Sequence, residues 1–291
     1  MTSTMHTGQL DRVIDSALAE DLADGPDVTT EATVPAAATA VAALVPREPG
    51  VLAGVDAAVA VFRRVVGDSL VLQQVSADGS LLIPGRPALV VYGPTRGLLT
   101  AERTALNLLT HLSGIATLTR SWVDAVAGTG AQIRDTRKTL PGLRALEKYA
   151  VSCGGGVNHR MSLGDAALIK DNHVLAAGSV TAAIQAVRAA AALQGRPDLT
   201  IEVEVDTLDQ LDEALAAGAK LVLLDNFSVP DTAEAVRRTR SRHCDVELES
   251  SGNLCLDQAR AVAGTGVDYL SVGALTHSAP TLDLGMDLAG G

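Results

Sequence analysis

The chain has 291 residues, of which 47% are hydrophobic and 20% are charged, and its formal net charge is −11. This composition indicates a globular protein with a sizeable core, in one large domain or two smaller ones. The acidic balance and an aromatic content of 2% argue against a nucleic-acid partner and against an anionic membrane surface.

The cysteines and the hydrophobic runs indicate the compartment. Three scattered cysteines predict neither a disulfide framework nor a zinc ribbon. The first residues lack the charged and apolar regions of a signal peptide, and the longest weakly polar run, residues 34–45, is too short to span a bilayer. These features predict a cytoplasmic protein that binds no membrane.

The first part of the chain mixes helix and strand patterns. Helical spacing covers residues 10–22, strand-like runs cover residues 39–45, 70–75 and 88–93, and a long amphipathic helix covers residues 98–127. This mixture predicts an α+β domain of ordinary size.

From residue 131 the chain alternates between short apolar runs and amphipathic helical stretches. The strand-like runs are residues 131–136, 166–171, 201–206, 221–226, 246–251 and 269–274, and the helical stretches between them are residues 179–193, 208–218, 230–240 and 256–264. This alternation predicts parallel strands with right-handed crossovers, in a β/α barrel or an open doubly wound sheet. Every strand-like run ends in a residue that could act in a binding or active site, which favours a barrel. These residues are Asp135, Lys170, Glu204, Asp225, Glu249 with Ser250, and Gly273. With six runs rather than eight, the sequence predicts an incomplete barrel.

Basic residues are concentrated in one glycine-broken stretch, residues 134–160. Arg137 and Lys138 directly follow the first barrel strand, at the expected barrel mouth, and these side chains suit a carboxylate or a phosphate. The glycines before His159 and Arg160 would let backbone N–H groups approach an anion closely. We therefore predict an anion site, with His159 as a donor to a carboxylate.

Two basic residues of the same stretch have a local explanation. Arg144 and Lys148 are four residues apart in a helical pattern, and Glu147 is a natural partner for them. We expect both on a solvated helix face.

Two strand-like runs carry paired acidic residues. Period-two alternation places Glu202 with Glu204 on one face, and Glu247 with Glu249 on another. Carboxylates inside a barrel are costly unless cations face them. The expected facing cations are Arg137, Lys138 and Lys170.

Lys170 ends its strand and has two interpretations. It can form an internal salt bridge to Glu204 or Glu247. A desolvated lysine at a barrel strand end can also be a Schiff-base nucleophile, which would make the protein an aldolase.

Small residues follow the last two strand-like runs. "ESSGN", residues 249–253, is expected to open a helix, and "SVGAL", residues 271–275, ends the last strand. Free N–H groups at these loops form the usual phosphate site of β/α barrels, so the sequence favours a phosphate ester. Glu204 and Asp225 would then face a polyol or Mg²⁺.

Six motifs, in this order, resemble the quinolinate phosphoribosyltransferase family: ERTALNLLTHLSGIAT, DTRKTLPGLRALEKYAVSCGGGVNHR, LIKDNH, EVEV, LLDNF and ESSGN. The likeness covers nearly the whole chain. It implies transfer of phosphoribose from phosphoribosyl pyrophosphate to quinolinate in de novo NAD synthesis, giving nicotinate mononucleotide, pyrophosphate and CO₂, with Mg²⁺ required. It also implies an open-faced α/β sandwich domain over residues 1–115, joined by the tail 277–291, an incomplete α/β barrel over residues 116–276, and a homodimer or larger assembly.

The resemblance also implies roles for individual residues. A cationic pocket for the quinolinate carboxylates and the pyrophosphate comprises Thr136, Arg137, Lys138, His159, Arg160 and Lys170. Glu204 and Asp225 are expected beside the ribose and Mg²⁺, and Arg103 is expected to reach the site of a partner subunit. The expected phosphate cradle comprises Ser250, Ser251, Gly252, Val272, Gly273 and Ala274. The expected catalytic residues are Lys138, Lys170, Glu204 and Asp225.

Three alternatives stay open at this point. One is a sister phosphoribosyltransferase that uses nicotinate, although the crowded cations Arg137, His159 and Arg160 favour a dianion such as quinolinate. The second is the aldolase with Lys170 as its nucleophile. The third is a barrel that binds a phosphorylated ligand without catalysis.

Overall fold

The computed structural model describes residues 7–290. The elements of its first part are α1 (Thr7–Asp21), α2 (Val28–Thr33), β1 (Thr39–Pro46), β2 (Gly50–Val51), α3 (Val55–Val66), β3 (Val71–Val75), β4 (Leu81–Leu82), β5 (Leu89–Pro94) and α4 (Thr95–Ala125). The structure confirms the predicted first helix, the three predicted strands and the long helix, which are α1, β1, β3, β5 and α4. The short elements and α3 lie in segments for which the sequence analysis made no prediction.

The second part alternates strands and helices as predicted. Its elements are β6 (Gln132–Arg134), α5 (Arg144–Gly154), β7 (Ala167–Ile169), α6 (Asp171–Ala177), α7 (Val180–Leu193), β8 (Ile201–Val205), α8 (Leu208–Ala216), β9 (Leu221–Asp225), α9 (Val229–Arg242), β10 (Glu247–Ser251), α10 (Leu256–Ala263), β11 (Tyr269–Ser271), α11 (Ala274–His277) and β12 (Leu284–Gly290). The prediction that "ESSGN" opens a helix was wrong. This motif ends β10 in a turn, and α10 begins only at Leu256, after the extended cap Cys255.

The chain divides into two compact units. Of the described residues, the antiparallel unit contains 7–120, 139–155 and 274–290, and the barrel unit contains 121–138 and 156–273. The domain boundaries proposed from the sequence stay predictions. Within residues 7–290 no single helix is long and apolar enough to cross a membrane, although α6 and α7, bent by 89°, meet the length and composition criteria together.

Parallel strands form the sheet of the barrel unit. Their order is β6-β11-β10-β9-β8-β7, so each strand from β7 to β10 pairs with the next along the chain, and β11 returns to pair with β6. The two end strands, β6 and β7, do not pair with each other within the described residues. This is the strand order of a β/α barrel with a seam between its first and second strands. The predicted incomplete barrel of six strands is confirmed.

Strand register determines which side chains share the inner face of the barrel. Glu204 on β8 and Glu249 on β10 are both register partners of Leu223 on β9, and partners on neighbouring parallel strands point to one face. Val203 and Val205 alternate to the other face and are fully buried. The alternation predicted from the sequence therefore places carboxylates inside the barrel.

The antiparallel unit contains a sheet in the order β12-β1-β5-β3. The last strand, β12, pairs with β1 over its whole length. The segment before β12 also lies close to α4, because Leu282 donates its N–H to the carbonyl of Thr110 at 3.0 Å. A Cβ atom added at Gly114 would overlap the carbonyl oxygen of Pro280. Close backbone approach therefore holds the C-terminal segment against α4.

We predict that Gly114→Ala destabilises the protein by about 1–3 kcal/mol, because the added methyl group overpacks this backbone contact. Gly8→Ala is the matched control, since nothing lies within 4 Å of a Cβ at this exposed helical position. The control should change the free energy of unfolding by less than about 1 kcal/mol. Thermal unfolding of both variants tests the prediction, and equal midpoints would contradict it.

Candidate active site

A cavity of about 420 Å³ opens at the carboxyl ends of the barrel strands. Its lining brings together residues from all six strands of the sheet or from the loops that follow them: Thr136, Arg137, Lys138, His159, Arg160, Leu168, Lys170, Glu204, Leu223, Asp225, Glu249, Ser251 and Ser271. Nine of these were predicted as site residues from the sequence.

The other predicted site residues lie outside this lining. Ser250 and Val272 are buried, and Val272 donates its N–H to the carbonyl of Arg134 at 2.9 Å. Gly252 adopts a φ of 92°, and a Cβ there would overlap the Asn226 amide, so only glycine suits this close turn. The remaining predicted residues of this group are Gly273, Ala274 and Arg103. Ala274 and Arg103 belong to the antiparallel unit, and Arg103 is exposed on α4.

Two guanidinium groups, those of Arg137 and Arg160, line the same cavity. Burial and the positive charge of Arg137 lower the pKa of Arg160 below its ordinary value. Arg160 Nη1 donates to the carbonyl of Ala166 at 3.0 Å, which anchors that side chain. The Nε atoms of Arg137 and Arg160 are buried without a hydrogen-bond partner among the described residues. Two like charges with unused donors form a site that attracts a multiply charged anion.

The predicted salt bridge of Lys170 is present. Its ammonium lies 2.5 Å from Glu204 Oε2. Glu204 and Asp225 line the same cavity from neighbouring strands, and both contribute carboxylate oxygens, the ligands that Mg²⁺ prefers. The donor set therefore fits a hard divalent cation held jointly with substrate oxygens.

Beneath the cavity, buried charges fill the barrel interior. Arg134 Nη1 lies 2.6 Å from Glu249 Oε2, and His159 Nε2 lies 2.7 Å from Glu202 Oε2. Burial, opposed by Arg134, raises the pKa of both carboxyl groups to about 7, and the charge of Glu202 adds to the rise at Glu249. The sequence predicted that Arg137 and Lys138 would face these acids. This prediction was wrong for Glu202 and Glu249, whose partners are His159 and Arg134.

Both ring nitrogens of His159 are engaged by the protein. Nδ1 accepts the backbone N–H of Arg160 at 2.6 Å, so this nitrogen carries no proton. The proton is then on Nε2, which donates to Glu202. Asp135, fully buried, accepts the backbone N–H of His159 at 2.8 Å and an amide N–H of Asn158 at 2.6 Å. Asp135 therefore holds the loop that carries Arg160 in place.

The same three side chains have the spacing of a metal site. One ligand atom each of His159, Glu202 and Glu249 lies within 4.8 Å of the others. The hydrogen bonds argue against a metal site, because Nδ1 of His159 accepts a hydrogen bond and Nε2 carries the ring proton. Arg134 also supplies positive charge to Glu249 already. This cluster is a hydrogen-bonded charge network.

The prediction of a solvated face for Lys148 was wrong. Lys148 and Glu147 are fully buried, and Arg144 is half-buried with its Nε donating to Thr139 Oγ1 at 3.0 Å. Glu147 pairs with His111 Nε2 on α4, at 2.9 Å, and it accepts the N–H of Leu140 at 3.1 Å. A spacing of four residues in the sequence identifies possible partners on the same helix only. In the structure, Glu147 on α5 contacts His111 on α4.

Sequence reasoning missed part of the cavity lining. Leu168 and Leu223 precede Lys170 and Asp225 by two residues, and Ser271 is the register partner of Arg134. A step of two along a strand returns to the same face. Extending the period-two rule backward from the predicted strand-end residues would have identified both leucines.

Comparisons with known proteins agree with this geometry. The family model of the quinolinate phosphoribosyl transferase N-terminal domain matches residues 27–113, and that of the C-terminal domain matches residues 115–287. A nicotinate-nucleotide pyrophosphorylase (carboxylating) of Mycobacterium leprae (strain TN) is 61% identical over 274 residues, 94% of either chain. The human protein of that name is 38% identical over 278 residues, 95% of this chain and 90% of the relative. The solved structure of the Francisella tularensis nicotinate-nucleotide pyrophosphorylase has a TM-score of 0.92 at 36% identity and covers 99% of both chains.

An incomplete β/α barrel with cations and carboxylates at the carboxyl ends of its strands defines a barrel protein with an anion site at its mouth. The matches make the assignment narrower. The chain belongs to the quinolinate phosphoribosyl transferase family.

The raised pKa of Glu249 predicts how stability depends on pH. Between the ordinary value of 4.5 and about 7, the folded protein holds a proton that the unfolded chain has released. The free energy of unfolding should therefore fall as the pH rises through this range, by at most on the order of 1 kcal/mol per pH unit. Glu249→Gln carries no such proton and should make the dependence less steep, with the raised pKa of Glu202 supplying the remainder.

Thermal midpoints of the wild type and Glu249→Gln, measured across this pH range without divalent metal, test this prediction. Glu247→Gln serves as a control, because Glu247 is exposed on the same strand. It should keep the wild-type slope. Parallel curves for the wild type and Glu249→Gln would contradict the assignment.

Proposed function

We propose that this site transfers phosphoribose from phosphoribosyl pyrophosphate to the ring nitrogen of quinolinate. The products are nicotinate mononucleotide, pyrophosphate and CO₂, and the reaction serves NAD biosynthesis. Membership of the family supports the proposal, together with the name of the 61% identical relative. We propose a cytoplasmic location on the sequence features alone.

The observation that carries the proposal is the pair of guanidinium groups, Arg137 and Arg160, that line one cavity. Arg137 and Arg160 repel each other, which is the largest charge effect on the pKa of Arg160. A ligand with two adjacent carboxylates relieves this repulsion and gives both buried Nε–H groups an acceptor. Quinolinate has two carboxylates, whereas nicotinate has one. The dianion therefore gains more from this pair than the monoanion does.

The other residues of the cavity suit the bond that breaks. Loss of pyrophosphate from the anomeric carbon creates positive charge on the ribose, which Glu204 and Asp225 would stabilise electrostatically. Lys138 and Lys170 would stabilise the leaving pyrophosphate. Glu204 and Asp225 would also hold Mg²⁺, which when bound neutralises charge on the pyrophosphate. No protein nucleophile is required, because the substrate nitrogen attacks once it is positioned.

Decarboxylation would follow the transfer. The ring nitrogen becomes cationic when the new bond to ribose forms, so the ring accepts the electron pair that the departing CO₂ leaves behind. A proton then takes the place of the lost carboxylate. The aldolase alternative is disfavoured, because the Lys170 side chain is held in an ion pair with Glu204 at 2.5 Å.

The test of the proposed function is an assay with phosphoribosyl pyrophosphate and each acid. Quinolinate should yield nicotinate mononucleotide and CO₂ with a much higher kcat/KM than nicotinate. Activity on nicotinate alone, or no turnover of either acid, would overturn the proposal. Binding of phosphoribosyl pyrophosphate without turnover would favour a binding protein.

Arg160→Ala should lower kcat/KM for quinolinate by about 10²–10³, because it removes a cation placed for the substrate carboxylates. The preference for quinolinate over nicotinate should shrink as well, since the second carboxylate loses its partner. Arg237→Ala is the matched control, because Arg237 is 70% exposed and pairs with Glu234 on its own helix. Near-normal kinetics of Arg160→Ala would count against the pocket.

We also propose a homodimer in which Arg103 completes the site of its partner. Arg103 is exposed on α4, and it forms no ion pair with another described residue. A two-fold dimer places the same surface of each chain against the other, so one unpaired arginine would serve each of two sites. The carboxylate-binding pocket would then gain a cation that no barrel residue supplies.

A heterodimer of Arg103→Ala and Lys138→Ala tests this arrangement. Each homodimer should be nearly inactive. If Arg103 acts in the partner's site, a heterodimer isolated with two different tags has one intact site and one doubly altered site, and about half of the wild-type activity by symmetry. If Arg103 acts within its own chain, every site keeps one lesion, and an inactive heterodimer would rule out sharing. Its size in solution shows that the dimer formed.

A further inference from the structure

Glu202 is a buried carboxylate to which the proposed reaction gives no direct role. It is 2% exposed and does not belong to the cavity lining, since it lies one layer below Glu204 on β8. Its Oε2 atom is 2.7 Å from His159 Nε2. A buried carboxylate beneath an anion site opposes the binding of anions. A structural or functional role of Glu202 must offset this cost.

A chain of hydrogen bonds leads from Glu202 to the cavity. Glu202 accepts the Nε2–H of His159 at 2.7 Å, His159 Nδ1 accepts the backbone N–H of Arg160 at 2.6 Å, and the Arg160 guanidinium donates to the carbonyl of Ala166 at 3.0 Å. Each link fixes the orientation of the next. An imidazole whose Nε2–H has a fixed acceptor presents Nδ1 in one direction only, and this direction sets the backbone of Arg160.

Glu249 is the competing acceptor in this arrangement. Its Oε1 atom lies 3.9 Å from His159 Nε2, beyond hydrogen-bond distance. Arg134 holds the other oxygen of Glu249 at 2.6 Å, which keeps that carboxylate from turning toward the histidine. Nε2 therefore has one near acceptor, Glu202, and one more distant, restrained acceptor, Glu249.

We propose that Glu202 is a positioning residue for the carboxylates of quinolinate. Through His159 it fixes the tautomer and ring orientation that hold Arg160 in the cavity that Arg137 also lines. The ligand in this inference rests on the proposed function, whereas the tautomer of His159 does not. His159 in this arrangement supports Arg160 from below and has no ring N–H left for the substrate.

Glu202→Met retains the shape of the side chain and removes the acceptor. The Nε2–H of His159 would then turn toward Glu249, and the movement would pass through Nδ1 to the backbone of Arg160. We expect KM for quinolinate to rise about tenfold or more, because a buried donor loses its partner. KM for phosphoribosyl pyrophosphate and kcat should change by less than about threefold, as for a loss confined to ground-state binding of one substrate.

Glu202→Gln is the conservative variant. Its amide oxygen can accept from His159, and its amide N–H groups can donate to Glu249 Oε1, which has no partner among the described residues. This variant should restore a KM for quinolinate within about threefold of the wild type. Glu247→Met, on an exposed carboxylate of β10, is the matched control and should leave both KM values unchanged.

The tautomer is measured separately by long-range ¹H–¹⁵N spectra of the histidine rings, with His159 assigned from the loss of its signals in His159→Gln. We expect the Nε2–H form in the wild type and in Glu202→Gln. A doubly protonated ring or the Nδ1–H form would overturn the proposal whatever the kinetics. Should Glu202→Met fail to fold, Glu202→Gln and the spectra decide.

The kinetic outcomes are equally decisive. Unchanged KM for quinolinate in folded Glu202→Met would overturn the positioning role, and so would an equal rise in both KM values. A wild type that does not use quinolinate would instead contradict the proposed function, while the spectra would still report on the link between Glu202 and His159.

Discussion

The buried ion pair between Arg134 and Glu249 is the interaction on which the barrel unit depends. A β/α barrel is usually filled with branched apolar side chains, and a carboxylate placed there is costly without a cation. Arg134 enters from the first strand and offsets Glu249 at 2.6 Å. That contact leaves Glu202 as the acceptor for His159, and His159 in turn holds the loop of Arg160. The arrangement of the side chains in the cavity therefore depends on the buried ion pair.

The charged residues of the barrel unit form a buried group and a group at the cavity mouth. The buried group contains the acids Glu202, Glu249 and Asp135, with Arg134 paired to Glu249. The mouth carries the cations Arg137, Lys138, Arg160 and Lys170 together with the acids Glu204 and Asp225. The acids reduce the mutual repulsion of the cations when no ligand is present, so the mouth can keep several positive charges close together. In a low-dielectric interior such a preorganised group acts strongly on charge that develops in a reaction.

Much of this arrangement could be predicted from the sequence, because it follows from periodicity. The alternation of strands and helices gave the incomplete barrel, and period-two alternation gave the inner face of Glu202 and Glu204. Partner choice could not be predicted in the same way. Which cation meets Glu249 depends on strand order, because β6 lies next to β11 and not beside β7. The face of α5 that carries Lys148 was misplaced for a similar reason, since the neighbouring Glu147 pairs with His111 on α4, an element distant in sequence.

The seam between β6 and β7 has a consequence for how such a gene can change. Residues 139–155, part of the connection between these strands, belong to the antiparallel unit, and the C-terminal segment belongs there as well. The chain thus passes between the units after residues 120, 138, 155 and 273. A single recombination crossover between two relatives cannot exchange one unit whole, because every such exchange joins pieces of both. The two units are therefore expected to have diverged together, as one inherited block.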